Sequence, residues 1–280
     1  MEFCDSVASV RTRVAAFRAA GERVALVPTM GALHQGHMAL VREARARAPR
    51  VVASVFVNPS QFGDPADLLA YPRALEADRR MLEEAGVDAL FAPSAAEIYG
   101  PGDETVVETT RLARAFHGAA RPGHFRGVAT VVLKLLNVVG PDVVLFGEKD
   151  YQQLAVVRRV VRDLFVPVEV VGVPTVREAD GLAMSSRNAR LSPEARAAAP
   201  VLARALGWAE ALAQLGATAE ALAEAVRRII EDEPLARESR VDVVDEAFAP
   251  ATGPLRGRVG IMVSARFGDV LLIDQREIEP

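Results

Sequence analysis

The sequence predicts an α/β protein in which a doubly wound parallel sheet is followed by a second, smaller α/β domain. Two observations support this prediction. Up to about residue 175, short β-branched segments alternate with helical segments, which is typical of a parallel sheet with crossover helices. Beyond that point, alanine- and leucine-rich helical segments precede three short strands. We therefore expect domains over residues 1–175 and 176–280.

The elements of the first domain follow from the spacing of apolar residues. Between Val7 and Phe17, apolar residues recur at intervals of three, four and three, which predicts an amphipathic helix that stops at Gly21. Residues 128–139 are apolar almost all round and predict a buried helix. The other predicted elements are strands at 23–27, 51–57, 87–91, 142–146 and 168–171, and helices at 38–48, 73–85 and 150–163.

The predicted second domain contains two helices and three strands. The helices cover 193–214 and 218–231, and the strands lie near 241–245, 259–265 and 269–274. Ligands of open parallel sheets bind outside the carboxyl ends of the strands. The loops that leave the strand ends of the first domain are therefore the places to look for chemistry.

Composition excludes several classes of protein. Half of the 280 residues are hydrophobic and a quarter are charged, as in ordinary globular proteins and unlike disordered chains. The longest apolar stretch is too short for a membrane span, and the first residues lack a signal-peptide pattern. A net charge of −4 argues against nucleic-acid binding. The single cysteine, Cys4, fits a reducing cytoplasm.

Lysine is rare in this chain. Only Lys134 and Lys149 occur among 33 basic residues, so arginine has been used almost wherever a cation serves. Lys149 follows a predicted strand, where a compact ammonium suits a phosphate group. Lys134 lies in the apolar helix, where snorkelling or a local ion pair is the expected role.

The first strand-end loop, P-T-M-G-A-L-H-Q-G-H (28–37), predicts an anion site. His34 and His37 flank Gly36 where a helix begins, and the N–H groups of a helix start attract phosphates. The loop imitates a Walker loop only weakly, because His37 and Met38 replace its Lys and Ser/Thr. It lacks a G-x-G-x-x-G fingerprint, and a metal site lacks a nearby third ligand. Histidines that only cap the turn are the remaining alternative.

Two further strand-end loops carry polar residues. F-V-N-P-S-Q-F-G (56–63) supplies Asn58 and Gln61, which suit a small polar ligand, although an Asn-Pro turn with an exposed glutamine explains them equally well. The other loop, residues 147–153 (G-E-K-D-Y-Q-Q), supplies Lys149 and places Gln153 one turn later. The alternative interpretation is a cluster of solvated charges at a helix start.

Two basic segments complete the set of candidate loops. A-M-S-S-R-N (183–188) combines small hydroxyl residues with an arginine and indicates a mobile loop that contacts phosphate. R-P-G-H-F-R-G (121–127) adds Arg121, His124 and Arg126 as a further positive patch.

Five motifs, in this order along the chain, resemble those of the pantoate–β-alanine ligase family. They are P-T-M-G-A-L-H-x-G-H, N-P-x-Q-F, R-P-G-H-F-x-G-V, G-E-K-D-Y-Q-Q and M-S-S-R-N. The resemblance covers about Val27 to Asn188. It implies a Rossmann-like sheet of the nucleotidyltransferase type and a homodimer. It also implies that ATP, with Mg²⁺, converts pantoate to pantoyl adenylate, which β-alanine then attacks to give pantothenate and AMP.

The resemblance also implies roles for individual residues. His34, His37 and Lys149 would be catalytic, with His37 the proton donor. Gln61, Gln153 and Asn58 would hold pantoate and β-alanine, and we add Asp78 as a candidate Mg²⁺ ligand. The residues expected around ATP, besides the three catalytic ones, are Met30, Gly31, Gly36, Gly147, Glu148, Asp150, Val176, Met184, Ser185, Ser186 and Arg187.

Two other functions stay open at this point. Another nucleotidyltransferase with a His-x-Gly-His loop would activate a different substrate. A non-catalytic nucleotide-binding module would bind ATP without needing histidine, lysine and arginine around its phosphates.

Overall fold

The computed structural model describes residues 1–279 and contains two compact units. The first unit consists of Met1–Gly147 and Gln152–Pro174. The second consists of Glu148–Tyr151 and the chain from Thr175 onward. The units differ from the predicted domains at Glu148–Tyr151, and the division at residue 175 stays a prediction about independent domains.

A six-stranded, fully parallel sheet forms the centre of the first unit. Its strand order is β1-β4-β3-β2-β5-β6. Because β2 pairs with β3 on one side and with β5 on the other, the chain reverses its winding direction between β2 and β5, where ligands of such sheets bind. The strands are β1 (Glu2–Cys4), β2 (Val24–Thr29), β3 (Arg50–Val55), β4 (Ala89–Phe91), β5 (Val143–Gly147) and β6 (Glu169–Val173).

Helices cover both faces of this sheet, so its strands are continuously apolar. Val24 and Leu26 of β2 join the hydrophobic cluster that includes α1 and α7, whereas Ala25 and Val27 join the cluster that includes α2. The helices are α1 (Val7–Ala19), α2 (Gln35–Arg47), α3 (Pro65–Ala70), α4 (Leu75–Glu84), α5 (Ala95–Ile98), α6 (His117–Ala120), α7 (His124–Val139) and α8 (Tyr151–Asp163), the last of which starts in the second unit.

The second unit packs three helices on a three-stranded antiparallel sheet of order β7-β8-β9. Leu206, Leu222 and Ile261 are fully buried in its core. The helices are α9 (Pro193–Ala198), α10 (Val201–Gln214) and α11 (Ala219–Glu231), and the strands are β7 (Ala236–Asp245), β8 (Val259–Phe267) and β9 (Val270–Ile278).

The predicted α/β fold class is confirmed, but two local predictions are wrong. The helix predicted over 193–214 is two helices separated at Pro200, because proline has no N–H to donate to the carbonyl of Arg196. The last three strands are nine or ten residues long rather than short. No helix among residues 1–279 is long and apolar enough to cross a bilayer.

Candidate active site

A buried aspartate holds the loop that follows β2. Asp78, on α4, is only 2% exposed, and its two carboxylate oxygens accept hydrogen bonds from the N–H groups of Ala32 (2.9 Å) and Leu33 (2.7 Å). Gly31 and Ala32 both have positive φ, at 81° and 50°. Because alanine rarely adopts this backbone, the carboxylate contributes to stabilising a strained turn.

Glycine is required at position 31 for a second reason. A Cβ added there would lie 2.9 Å from Oδ2 of Asp78 and 3.0 Å from a methyl group of Val55. The loop therefore approaches its supports too closely for any side chain. The assignment of Asp78 to Mg²⁺ stays a prediction, since the hydrogen bonds of this carboxylate give it a different, structural task.

His34 and His37 cap helix α2. Nδ1 of His34 accepts from the N–H of Gly36 (3.1 Å), and Nδ1 of His37 accepts from the N–H of His34 (3.2 Å). A neutral imidazole whose Nδ1 accepts a hydrogen bond carries its proton on Nε2. Both rings, whose centroids are 4.1 Å apart, are therefore in the tautomer that offers an Nε2–H donor.

Capping and ligand binding are thus compatible in this loop. The capping alternative from the sequence describes the Nδ1 atoms correctly, and each ring in this tautomer also has an Nε2–H group. Residues 1–279 contain no group of three His, Cys, Asp or Glu side chains arranged to hold a metal ion.

Asn58 and Gln61 form a buried pair of amides. They are 1% and 8% exposed, and Nδ2 of Asn58 donates to Oε1 of Gln61 at 2.9 Å and to the carbonyl of Gly127 at 3.2 Å. Nε2 of Gln61 contacts the thioether sulfur of Met30 at 3.1 Å, which is a weak acceptor. The exposed-glutamine alternative is therefore wrong, and the Gln61 amide is ordered and buried.

Tyr99 and Ser60 complete this amide pair, and the sequence analysis missed Tyr99. The Tyr99 hydroxyl lies 2.8 Å and the Ser60 hydroxyl 2.9 Å from Oδ1 of Asn58. Burial raises the pKa of Tyr99, so the phenol keeps its proton and can donate it. Tyr99 lies 41 residues from Asn58 in sequence, in a segment without a distinctive motif, which explains why sequence patterns did not reveal it.

The basic segment at the start of α7 supports the Gln61 turn. Nδ1 of His124 lies 2.8 Å from the carbonyl oxygen of Gln61, so this nitrogen carries the proton and donates it. A Cβ on Gly127 would lie 2.4 Å from the carbonyl oxygen of Ser60, so α7 needs glycine to approach this turn. Two residues of the segment 121–127, His124 of the predicted positive patch and Gly127, thus position a candidate ligand residue.

The two consecutive glutamines at the start of α8 have different environments. Gln152 is 2% exposed and bonds to the N–H of His117 and the carbonyls of Leu112 and Ala115. Gln153 is partly exposed, and its side chain makes no hydrogen bond within residues 1–279. Gln152 therefore holds the backbone of residues 112–117 in place, whereas Gln153 has an amide available for a ligand.

The two lysines also differ. Lys134 forms an ion pair with Asp103, donates to the carbonyl of Ile98 at 2.8 Å and lies 4.6 Å from the centre of the Tyr99 ring. This confirms the local ion pair expected for it. Lys149 lies in a 3₁₀ turn, Glu148–Asp150, and forms no ion pair within the part of the chain that the structure describes. No carboxylate of residues 1–279 pairs with its ammonium group.

Lys149 belongs to the second unit because of its neighbour Tyr151. The Tyr151 hydroxyl donates to Glu277 at 2.8 Å, and its ring stacks on Phe248 with centroids 5.3 Å apart. A Cβ on Gly260 would lie 2.4 Å from this ring. The ring therefore occupies space that β8 leaves by having glycine at this position.

The predicted phosphate-binding loop is a 3₁₀ helix, Ser186–Arg190, in the second unit. Ser185 caps it by accepting from the N–H of Arg187 at 3.2 Å. Asn188 anchors it through hydrogen bonds to Glu178 (2.7 Å) and to the carbonyl of Ala183 (3.1 Å). The segment predicted as a loop thus has a defined local structure.

Val176 lies in a short antiparallel pairing with the residues just before this helix. Its carbonyl accepts from the N–H of Met184 at 2.9 Å. The following Arg177 makes two hydrogen bonds, 2.7 and 3.0 Å, to the buried carboxylate of Asp274. This bidentate ion pair fixes the backbone beside Val176 to β9.

The candidate residues therefore fall into one set in each unit. The first unit brings Met30, Asn58 and Gln61 into contact and holds His34 and His37 on a loop stabilised by Asp78. It also contains Gly31, Gly36, Gly147 and Gln153. The second unit contains Glu148, Lys149, Asp150, Val176, Met184, Ser185, Ser186 and Arg187.

Comparison with known proteins agrees with the resemblance noted from the motifs. Residues 2–277 match the family model described as pantoate-beta-alanine ligase. A pantothenate synthetase from Heliobacterium modesticaldum is 53% identical over 260 residues, 92% of each chain. One from Sinorhizobium medicae is 50% identical over 284 residues, covering 100% of this chain and 97% of its own.

Solved structures extend this agreement to the fold. A pantothenate synthetase from Thermus thermophilus superposes with a TM-score of 0.95 at 49% identity, over 100% of both chains. A pantoate-beta-alanine ligase from Francisella tularensis, complexed with beta-gamma ATP and beta-alanine, has a TM-score of 0.80 at 31% identity, covering 99% and 97%. With its whole length matched in sequence and in fold, this chain belongs to the pantoate-beta-alanine ligase family.

Proposed function

We propose that this protein joins pantoate to β-alanine at the expense of ATP, releasing AMP and pyrophosphate through a pantoyl-adenylate intermediate. Family membership along the whole chain carries the proposal. The related Francisella tularensis ligase complexed with an ATP species and β-alanine supports the two substrates named there. Pantoate is the acid that the family description adds.

The first step is an in-line displacement at the α-phosphorus of ATP. A pantoate carboxylate oxygen forms the new P–O bond, and the bond to the bridging oxygen breaks to release pyrophosphate. The carboxylate is already ionised, so this step needs charge neutralisation and alignment rather than a general base. We assign alignment of the phosphate oxygens to hydrogen bonds from the Nε2–H groups of His34 and His37, at the start of the 13-residue helix α2.

The second step forms the amide. The neutral amine of β-alanine attacks the acyl carbon of the adenylate, the C–O bond to AMP breaks, and the amine loses a proton to solvent. The adenylate must be kept from water until the amine arrives. We assign this protection to the predicted smaller domain, residues 176–280, which we expect to act as a lid.

The acid substrate binds at the buried amides of the first unit. Gln61, oriented by Asn58, and Gln153, whose amide has no partner within residues 1–279, provide hydrogen bonds to pantoate. A mostly apolar pocket with a few fixed polar groups suits a small branched hydroxy acid. Gln152 is excluded from this role because its amide is fully engaged in the protein.

We assign nucleotide binding to backbone and cationic groups of the candidate loops. Met30, Gly31 and Gly36 provide the loop after β2, and Gly147, Glu148 and Asp150 line the nucleotide. Val176 contacts adenine through its backbone. Lys149 contributes an ammonium that no carboxylate of residues 1–279 neutralises, and Met184, Ser185, Ser186 and Arg187 hold the triphosphate.

Mg²⁺ enters this scheme with the nucleotide. Mg²⁺ is commonly bound by substrate phosphates, waters and one or two carboxylates rather than by a protein cage. When bound, the ion neutralises phosphate charge. We further propose a homodimer located in the cytoplasm.

Pyrophosphate–ATP isotope exchange tests the proposed function. We expect exchange that depends on pantoate and proceeds without β-alanine, since reversal of the first step returns labelled pyrophosphate to ATP. Exchange that is indifferent to pantoate would indicate another nucleotidyltransferase. A complete absence of exchange would indicate a nucleotide-binding module without this chemistry.

A further inference from the structure

Tyr99 has hydrogen-bonding partners that link it to the proposed pantoate site without placing it there. Its hydroxyl lies 2.8 Å from Oδ1 of Asn58 and 2.9 Å from the hydroxyl of Ser60. Asn58 in turn donates to Oε1 of Gln61 at 2.9 Å. The chain of contacts therefore runs from the Tyr99 phenol to the Gln61 amide through one buried side chain.

Backbone groups fix the orientation of the Asn58 amide. The N–H of Ser60 can only donate and lies 3.3 Å from Oδ1, and the carbonyl of Gly127 can only accept and lies 3.2 Å from Nδ2. Rotation of the amide by 180° would place like groups together at both positions. The hydroxyls of Tyr99 and Ser60 reinforce the same orientation, because both can donate to Oδ1.

The orientation of Asn58 determines which atom Gln61 offers to a ligand. Since Nδ2 of Asn58 donates to Oε1, the Gln61 oxygen is directed back into the protein. Nε2 remains, and within residues 1–279 its partner is the Met30 thioether, a weak acceptor. Gln61 therefore presents N–H groups, which suit the carboxylate or hydroxyl oxygens of an acid substrate.

Lys134 holds the Tyr99 ring from its other side. The ammonium lies 4.6 Å from the ring centre and donates to the carbonyl of Ile98, one residue before Tyr99. Its ion pair with Asp103 fixes the ammonium in this place. The ring is thus held by a cation–π contact and by hydrogen bonds at its hydroxyl.

We propose that Tyr99, assisted by Ser60 and Lys134, is a positioning residue that acts through Asn58 to keep Gln61 in its donor orientation for pantoate. This inference rests on the proposed function. It gives Tyr99, Ser60 and Lys134 an effect on pantoate binding although they are not among the residues proposed to contact the ligand. Tyr99 itself contacts neither substrate in this scheme.

The test compares Tyr99→Phe, Ser60→Ala and the double variant in pantoate-dependent pyrophosphate exchange. Either hydroxyl alone still donates to Oδ1, so each single variant should raise the KM for pantoate by about threefold or less. The double variant should raise it by about 20-fold or more, exceeding the product of the two, since coupled groups that share one acceptor are not additive. The KM for ATP should stay unchanged in all three.

Two further variants separate positioning from simple stability. Lys134→Met keeps an unbranched side chain one atom shorter but removes the charge over the ring, and we expect a selective rise in the KM for pantoate. Ser9→Ala removes a hydroxyl from the capping box of α1, so it should lower the melting temperature without changing either KM. Melting curves of every variant accompany the kinetics.

Several results would overturn the proposal. A double variant whose KM for pantoate stays within about twofold of the wild type would do so, as would equal rises for pantoate and ATP. Lower melting temperatures with an unchanged KM for pantoate would reduce Tyr99 to a structural role. Absence of pantoate-dependent exchange in the wild type would instead refute the proposed function, so the two failures are distinguishable.

Discussion

Replacement of Asp78 by asparagine distinguishes two roles for this buried carboxylate: support of the loop after β2 and binding of Mg²⁺. In the structure, its oxygens accept hydrogen bonds from the N–H groups of Ala32 and Leu33 at 2.9 and 2.7 Å. Asparagine has the same shape but only one oxygen. Its NH₂ group must therefore face one of the two backbone N–H groups, and that N–H loses its partner inside the protein.

The expected cost follows from these two bonds. A hydrogen bond to a charged group contributes about 1.5–3 kcal/mol, and an unsatisfied buried donor costs about 1–3 kcal/mol. The second bond is also weakened, because its acceptor is no longer charged. We expect Asp78→Asn to lower the free energy of unfolding by about 2–4 kcal/mol, a combined estimate from those ranges. The loop that carries His34 should shift, and shifts of this kind can cost about 100-fold in rate.

Urea denaturation and pyrophosphate exchange at increasing Mg²⁺ concentrations provide the assay. Glu76→Gln, an exposed change in the first turn of the same helix, is the matched control and should alter neither quantity. If Asp78 organises the loop, excess Mg²⁺ will not restore the exchange rate. Restoration by Mg²⁺ together with an unchanged free energy of unfolding would show that it is a metal ligand and that the hydrogen-bond argument is wrong.

Three other predictions concern charge and packing. Lys149→Ala should lower the exchange rate by about 100-fold through loss of phosphate stabilisation, whereas Lys134→Ala should stay within about tenfold of the wild type. Gly260→Ala should lower the free energy of unfolding in urea by about 1–3 kcal/mol, because its Cβ would lie 2.4 Å from a tyrosine ring. Burial raises the pKa of Asp142, but the Arg18 guanidinium and a backbone N–H outweigh burial and hold this pKa below its ordinary value. The stability it contributes is therefore present at neutral pH and lost as the pH falls, so the melting-temperature difference between Asp142→Asn and wild type should shrink below about pH 4.

Each of these predictions has a result that contradicts it. Equal losses in the two lysine variants would refute the distinction between a paired and an unpaired ammonium. Gly207→Ala is the control for Gly260, since a Cβ there meets no atom closer than 3.9 Å; equal destabilisation by both would refute the steric argument. A melting-temperature difference between Asp142→Asn and the wild type that is independent of pH would show that ionisation of Asp142 is not linked to folding.

The sequence predicted those features whose causes are local. Strand β2 and helix α7 have runs of apolar residues that only a buried element can accommodate, and both were predicted within a few residues of their bounds. The loop between Pro28 and His37 was recognisable because a glycine turn and a helix start must follow a buried strand there. Its orientation at the carboxyl edge follows from the parallel sheet.

Features that depend on distant partners were not predictable. Strand β1 is only three residues long, and pairing with Ala89–Phe91 alone makes it a strand. Tyr99 acquires its role from Asn58 and Ser60, which the fold brings to it from about 40 residues away. Likewise, Gln152 and Gln153 are consecutive identical residues, and only tertiary contacts show which side-chain amide is hydrogen-bonded within the protein.

The packing of Tyr151 has a consequence for work with fragments of this protein. Four consecutive residues, Glu148–Tyr151, associate with the second unit although the chain on either side of them belongs to the first. A fragment ending at residue 175 would retain this turn but lose Gly260, Phe248 and Glu277, which hold the Tyr151 ring. Loss of nucleotide affinity in such a fragment would therefore reflect a turn that has lost the contacts holding Tyr151. A circular permutant that keeps both units is the better tool for separating the contributions of the two units.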